Sequence, residues 1–277
     1  MKKFIVACVS ILLLTACTQD ATLEKPKETE FKTEEKKEQD TSGEEKKAVD
    51  ERNSEEEAAN EEVKVDPQYK VNPGNWSIEP IDDANSKVVL LTIDDAPDKH
   101  ALEMAKTLKK LDAKAIFFVN GHFLDTPKEK EALKQIHDLG FIIGNHTYSH
   151  RTLSELSIEE QQKEIVSLSD TVESITGERP KFFRAPFGDN TDFSKQVVND
   201  QKMSLMNWTY GYDWETDYQT GEAIAEIMVN SPYLTDGANL LMHDREWTNE
   251  GLEAIVNGLR EKGYEILDPN LIQTPEG

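Results

Sequence analysis

Two adjacent carboxylates, Asp94 and Asp95, end the apolar run Val88–Ile93, and two imidazoles four residues apart follow in His146-Thr-Tyr-Ser-His150. One carboxylate and two imidazoles make three ligands for a divalent metal, the number a hydrolytic site uses while leaving a position open. The second carboxylate is left over as a base. Together they are the minimum set for metal-assisted hydrolysis. Each part also has a plainer reading. An Asp beside a proline can cap a helix that starts near Pro97. Histidines at i and i+4 face one way on a helical turn, with or without a metal between them.

Three further groups join these. Arg184-Ala-Pro186-Phe187-Gly188 follows the buried pattern Lys181-Phe-Phe, and its rigid turn suits the aiming of a side chain and a backbone N–H. His243-Asp244 ends the run Asn239-Leu-Leu-Met, where a histidine can simply be partly buried, but as the only other histidine at that edge His243 is the natural proton donor. Asp213-Trp214 lies between them. His100, His122 and His137 fall on or beside predicted helices and read as structural or surface residues.

The elements that must position these groups alternate. Apolar runs at Val88–Ile93, Ala115–Val119, Phe141–Gly144, Lys181–Arg184, Ser204–Trp208, Asn239–Met242 and Tyr264–Leu267 predict strands. Helical spacing covers Ala101–Leu111, Lys128–Leu139, Ile158–Thr176, Phe193–Asp200, Ala223–Val229 and Leu252–Glu261. The alternation implies an α/β fold of parallel strands with right-handed crossovers, either closed or open. Five strands then carry their ionisable or Gly/Pro-containing segments to one edge, the carboxyl ends where parallel α/β folds build active sites.

With these residues assembled, the chain resembles the polysaccharide deacetylase family over about Lys87 to Leu267. Thr92-Ile-Asp-Asp-Ala-Pro97 is similar to the family's Thr-Phe-Asp-Asp-Gly-Pro, His146 to His150 to its His-Thr/Ser-x-x-His, and Arg184 to Gly188 to its Arg-x-Pro-Tyr/Phe-Gly. Asp213-Trp214 and Leu241-Met-His243-Asp244 match the last two motifs, in order. The resemblance implies a distorted (β/α)7 barrel. It implies Asp95, His146 and His150 as ligands to a metal, zinc foremost and cobalt as an alternative. Asp94 would be the general base, oriented by Arg184, and His243 the general acid, held by Asp213. Pro186 and Phe187 would contact substrate, with the Phe187 N–H at the oxyanion, while Trp214 and Leu241 wall a slot for the acetyl methyl. Two departures stand out. Ala96 replaces the usual Gly, which requires a negative φ there. The stretch Trp208–Trp214 is one residue short and lacks an upstream Asp.

The ends set the context. Lys2-Lys3, the apolar run Phe4–Leu14 and Leu14-Thr-Ala-Cys17 read as an export signal over residues 1–16, and its ending resembles a bacterial lipobox with Cys17 as the lipidated residue. Cys8 would leave with the signal, so no disulfide can form within the mature chain. Residues 17–66 hold 18 acidic and 9 basic residues with one aromatic, a composition that cannot offset its ordering entropy. They predict a disordered tether reaching about 40 Å at ~5–6 Å times the square root of its length. Residues 67–86 form a lead-in that either packs on the barrel or touches substrate, and 87–277 form the catalytic domain. The net charge of −23 argues against nucleic acid as a partner. The expectation is therefore a monomeric, extracytoplasmic, lipid-anchored N-deacetylase of N-acetylglucosamine in peptidoglycan or a related glycan. The rivals are an O-acetyl esterase and a non-catalytic wall-binding lipoprotein.

Overall fold

The computed structural model describes residues 66–275. The expected signal peptide, Cys17 and the tether up to residue 65 lie outside the described residues. A hairpin of β1 (Tyr69–Val71) and β2 (Ile78–Pro80) comes first. Then follow β3 (Val88–Ala96), α1 (Ala101–Lys110), β4 (Ile116–Val119), α2 (Pro127–Asp138), β5 (Ile142–Asn145) and α3 (Ile158–Thr176). The second half comprises β6 (Phe182–Phe183), α4 (Asp192–Asp200), β7 (Ser204–Leu205), α5 (Gly221–Asn230), β8 (Ala238–His243), α6 (Glu246–Glu261) and β9 (Glu265–Ile266).

The last seven strands pair in parallel in the order β7-β6-β5-β4-β3-β8, with β9 beside the first two residues of β3. Past β7 the chain bends across to the other end of this path. There Tyr210 bridges Leu240 in parallel, with Leu241 N donating to Tyr210 O at 2.8 Å. The sheet thus curls into the distorted (β/α)7 barrel that the resemblance implied. Alternation along β3 divides the core. Val89, Leu91 and Ile93 face the helices with Met104 and Leu108, whereas Val88 and Leu90 face inward with Ile116 and Phe118. All are fully buried, so both faces of the sheet are apolar, as a parallel sheet covered on both sides requires.

The lead-in packs on the barrel, away from the strand ends that carry the polar residues. Tyr69 and Ile78 join the inward cluster, and Ile78 N donates to Gly237 O, just before β8, at 2.7 Å. The hairpin therefore plugs the end where the strands begin. Helix starts moved relative to the expected ones. Thr220 caps α5 through Ala223 N, so the helix begins at Gly221 rather than Ala223. Helix α6 begins at Glu246 rather than the expected Leu252, because its first turn, Glu-Trp-Thr-Asn, carries no apolar repeat beyond Trp247.

Candidate metal and catalytic site

A regular strand sends consecutive side chains to opposite faces, so Asp94 and Asp95 should diverge. They do not, because the register of β3 against β4 shifts between Ile93 and Ala96, and Asp95 takes a left-handed φ of 61°. This bulge turns both carboxylates toward one imidazole. His146 Nε2 lies 3.6 Å from Asp94 Oδ2 and 3.9 Å from Asp95 Oδ1. Neither Asp caps a helix. Instead Asp244 accepts from Lys99 N at 2.9 Å and from His100 N, just ahead of α1. Ala96 is absent from the positive-φ residues, so its Cβ is accommodated where a Gly was expected.

The two histidines are not on a helical turn, contrary to expectation. Thr147 (φ 66°) and His150 (φ 55°) are both left-handed, and this irregular turn brings the rings to 4.9 Å between centroids. Polar groups from three elements hold it. Asn120 Nδ2 donates to His146 O at 2.6 Å, and Thr147 N donates to Asn145 Oδ1 at 3.0 Å. Glu164 of α3 accepts from both Ser149 N (2.7 Å) and Ser149 Oγ (2.5 Å). Its own carbonyl accepts from Tyr148 N at 3.0 Å.

His146 Nδ1 lies 2.8 Å from Arg184 O, which assigns the proton to Nδ1 and leaves Nε2 free to ligate. Burial, reinforced by the neighbouring His150, pushes the His146 pKa down to about 3, so the ring is neutral. One ligand atom each from Asp95, His146 and His150 lie within 4.8 Å of one another. The pair from His150 Nε2 to Asp95 Oδ1 is 3.5 Å. Bonds of about 2.0–2.1 Å in a tetrahedron separate their donor atoms by roughly 3.4 Å. The donor set and its spacing thus fit a divalent cation.

Arg184 runs through the barrel interior, wholly buried, beneath Asp94. Its Nη1 donates to Asp94 Oδ1 and to Thr92 Oγ1, both at 2.7 Å, and its Nη2 to Asn207 O at 2.8 Å. Its guanidinium carbon sits 4.4 Å from the Phe118 ring centre. Burial raises the pKa of Asp94, and the Arg184 charge and hydrogen bond oppose that shift. After Arg184 the Pro186–Gly188 turn carries Phe187 at φ 58°, an exposed residue whose ring stands edge-on to His150.

His243 pairs in register with Asp94 across β3 and β8, on the opposite flank from the histidine turn. Asp213 Oδ1 lies 2.7 Å from His243 Nδ1, and Asp213 Oδ2 accepts from His243 N (2.6 Å) and Thr248 Oγ1 (2.8 Å). Trp247 Nε1 donates to the Asp213 carbonyl at 2.8 Å. Burial alone would lower the His243 pKa, but the hydrogen bond and charge of Asp213 outweigh it and raise the value. Burial also acts to raise the Asp213 pKa, and its bonds to His243 and Thr248 lower it overall. Trp214 stands edge-on to His243 at 5.7 Å. Gly211 lets this loop close on β8, since a Cβ there would meet Leu241 O at 2.4 Å and Trp214 Cζ3 at 3.0 Å.

Asp94, Asp95, His146, His150, Arg184, Phe187, Asp213, Trp214 and His243 are thus linked by contacts at one end of the barrel. Glu164, Gly211, Arg245, Trp247 and Thr248 were not anticipated. Glu164 looks in sequence like one more acid on an exposed helix, whereas Arg245, Trp247 and Thr248 follow His243-Asp244 so closely that proximity could have flagged them. Among the other histidines, His100 precedes α1, His122 lies in a short turn with its Nδ1 3.1 Å from Tyr148 O, and His137 sits in the last turn of α2.

A polysaccharide deacetylase profile matches residues 82–206. The chain is 30% identical over 187 residues to the peptidoglycan-N-acetylmuramic acid deacetylase PdaA of Bacillus subtilis, covering 64% of this chain and 68% of that one. It is 28% identical over 199 residues to a peptidoglycan-N-acetylglucosamine deacetylase of Bacillus cereus, covering 69% and 70%. To the N-acetylmuramic acid deacetylase PdaC of Bacillus subtilis it is 31% identical, over 67% of this chain but only 38% of PdaC's length. Among solved structures, a CE4 family pseudoenzyme from Bacillus anthracis superposes with a TM-score of 0.59 at 29% identity, covering 65% of this chain and 63% of that one. On its motifs, its barrel and these relatives, the chain belongs to the polysaccharide deacetylase family, CE4.

Proposed function

We propose that this protein is a metal-dependent hydrolase that removes N-acetyl groups from the amino sugars of peptidoglycan, releasing acetate. Asp95, His146 and His150 hold the metal, zinc in the first instance with cobalt as a substitute. When bound, the cation polarises the acetyl carbonyl and makes water more acidic. Asp94, fixed by Arg184, takes the proton from the attacking water. The Phe187 N–H faces the negative charge that grows on the acetyl oxygen. His243, kept protonated by Asp213, gives its proton to the sugar nitrogen, which cannot leave as an anion. Pro186 and Phe187 border the sugar on one side, and Trp214 and Leu241 the acetyl methyl on the other. A lipid on Cys17 would hold the protein outside the cell membrane, which detergent-phase partition of the full chain tests.

The observation that carries this reading is the placement of Asp94. It lies 2.7 Å from Arg184 Nη1 and 3.6 Å from His146 Nε2, and shares a register position with His243. The relatives' names divide between N-acetylglucosamine and N-acetylmuramic acid, and both sugars carry the same scissile acetamide. The likeness to a pseudoenzyme favours a non-catalytic reading, and the candidate ligands, base and acid carried by this chain argue against it. Metal-replete protein should release acetate from N-acetylated glycan. His146→Ala or Asp94→Ala should lower that rate by about 10³-fold or more. Undiminished release by either variant would refute the assignment. Release from O-acetylated polymer alone would make the protein an esterase.

A further inference from the structure

Arg245 stands at the rim with a charge that the chemistry above leaves unused. Its backbone N donates to His243 O at 2.8 Å, which fixes the residue beside the end of β8. Its Nη2 lies 3.5 Å from Asp95 Oδ2, and the side chain is 41% exposed. That contact is longer than the roughly 2.7–2.9 Å of a well-made charge-assisted bond. Arg184 differs in every respect, being buried with its Nη1 and Nη2 engaged by Thr92, Asp94 and Asn207. Among the other charged groups of the cluster, Asp94, Asp95 and Asp213 would repel an anion, while the cationic Arg184 is buried and His243 is tied to Asp213. A guanidinium presents its N–H groups as a planar fork matched to a carboxylate.

We infer that Arg245 is a specificity-determining residue that receives a carboxylate carried on the sugar carbon next to the one bearing the acetamide. The lactyl ether of N-acetylmuramic acid is such a group. The inference rests on the deacetylase reading and narrows its substrate class. The geometry is direct. An acetamide at Asp95 and a substituent on the neighbouring ring carbon are a few ångströms apart, and Arg245 lies next to Asp95 on the open side.

The test uses the full metal-replete protein and three glycans: a neutral N-acetylglucosamine oligomer, a peptide-free glycan strand with free lactyl carboxylates, and that strand with its carboxylates methyl-esterified. For the wild type, esterification should raise KM by about tenfold with kcat little changed, the size of one lost charge-assisted bond. Arg245→Gln should abolish the difference between acid and ester strands, and Arg245→Lys should restore part of it. Calorimetric binding of the free-acid strand to the Asp94→Asn protein should weaken to the same degree when Arg245→Gln is added. An equal fall in kcat on all three glycans, with the preference for the acid strand intact, would show that Arg245 only positions Asp95, and would overturn the inference. A wild type that never preferred the acid strand would overturn it too. Acetate from none of the three would remove the deacetylase reading itself, and this one with it.

Discussion

Two imidazoles on one rim, His146 and His243, are driven to opposite protonation states. Both are largely buried, and burial alone disfavours the charged ring in both. What differs is the acceptor at Nδ1. For His146 it is the neutral Arg184 carbonyl at 2.8 Å, so burial prevails and the ring stays unprotonated with a free Nε2. For His243 it is the Asp213 carboxylate at 2.7 Å, whose charge overrides burial and holds the proton on. The same residue type is thereby suited to ligate a cation in one half and, on the proposed mechanism, to act as the acid in the other. The choice is made one shell further out.

Among the supports of these two rings, the largest effect is expected at Asp213. Asp213→Asn removes the charge that opposes burial, so the His243 pKa should fall. A general acid works only while protonated, so activity is lost as pH rises through that pKa. The descending limb of kcat/KM against pH should accordingly move to lower pH, with a loss of about 10²-fold near neutrality. An unmoved limb would show that His243 is not the acid.

The opposite half is loosened at Glu164, whose carboxylate holds Ser149 and whose backbone carbonyl holds Tyr148, within the ligand turn. Glu164→Ala should weaken metal binding by about tenfold in a competition titration, the lower end for lost support of a ligand. The pH limb should stay where it is, and unchanged metal affinity would show that the turn holds without the clamp. The smallest expected effect is at Trp247. Trp247→Phe keeps an aromatic ring and removes only the N–H bound to the Asp213 carbonyl, so kcat should fall a few-fold with metal affinity unaltered.

Much of this site was legible because polar residues interrupt apolar runs at strand ends. Asp94, His146, Arg184 and His243 each follow such a run, and parallel topology makes their convergence a consequence of the alternation. What stayed hidden depends on backbone angles rather than residue types. Nothing in Asp-Asp announces a left-handed Asp95, and the spacing of His146 and His150 suggested a helical turn where Thr147 and His150 make an irregular one. The hairpin at the base was equally obscure, because three-residue strands between Pro, Gly and Asn show no measurable period. The crossing from β7 to Tyr210 follows from contacts distant in sequence, with Thr209 N donating to Asn239 O at 2.8 Å.

At the bulge that ends β3 the proposed base and a proposed metal ligand are successive residues, so their α-carbons stay about 3.8 Å apart. Loop breathing or helix sliding can change how far either lies from His150 or His243, whereas the two carboxylates converge or diverge chiefly with the backbone angles of the bulge itself. The separation of proposed base and proposed ligand is thereby entrusted to one local kink of the backbone, and the remaining distances of the site to tertiary packing.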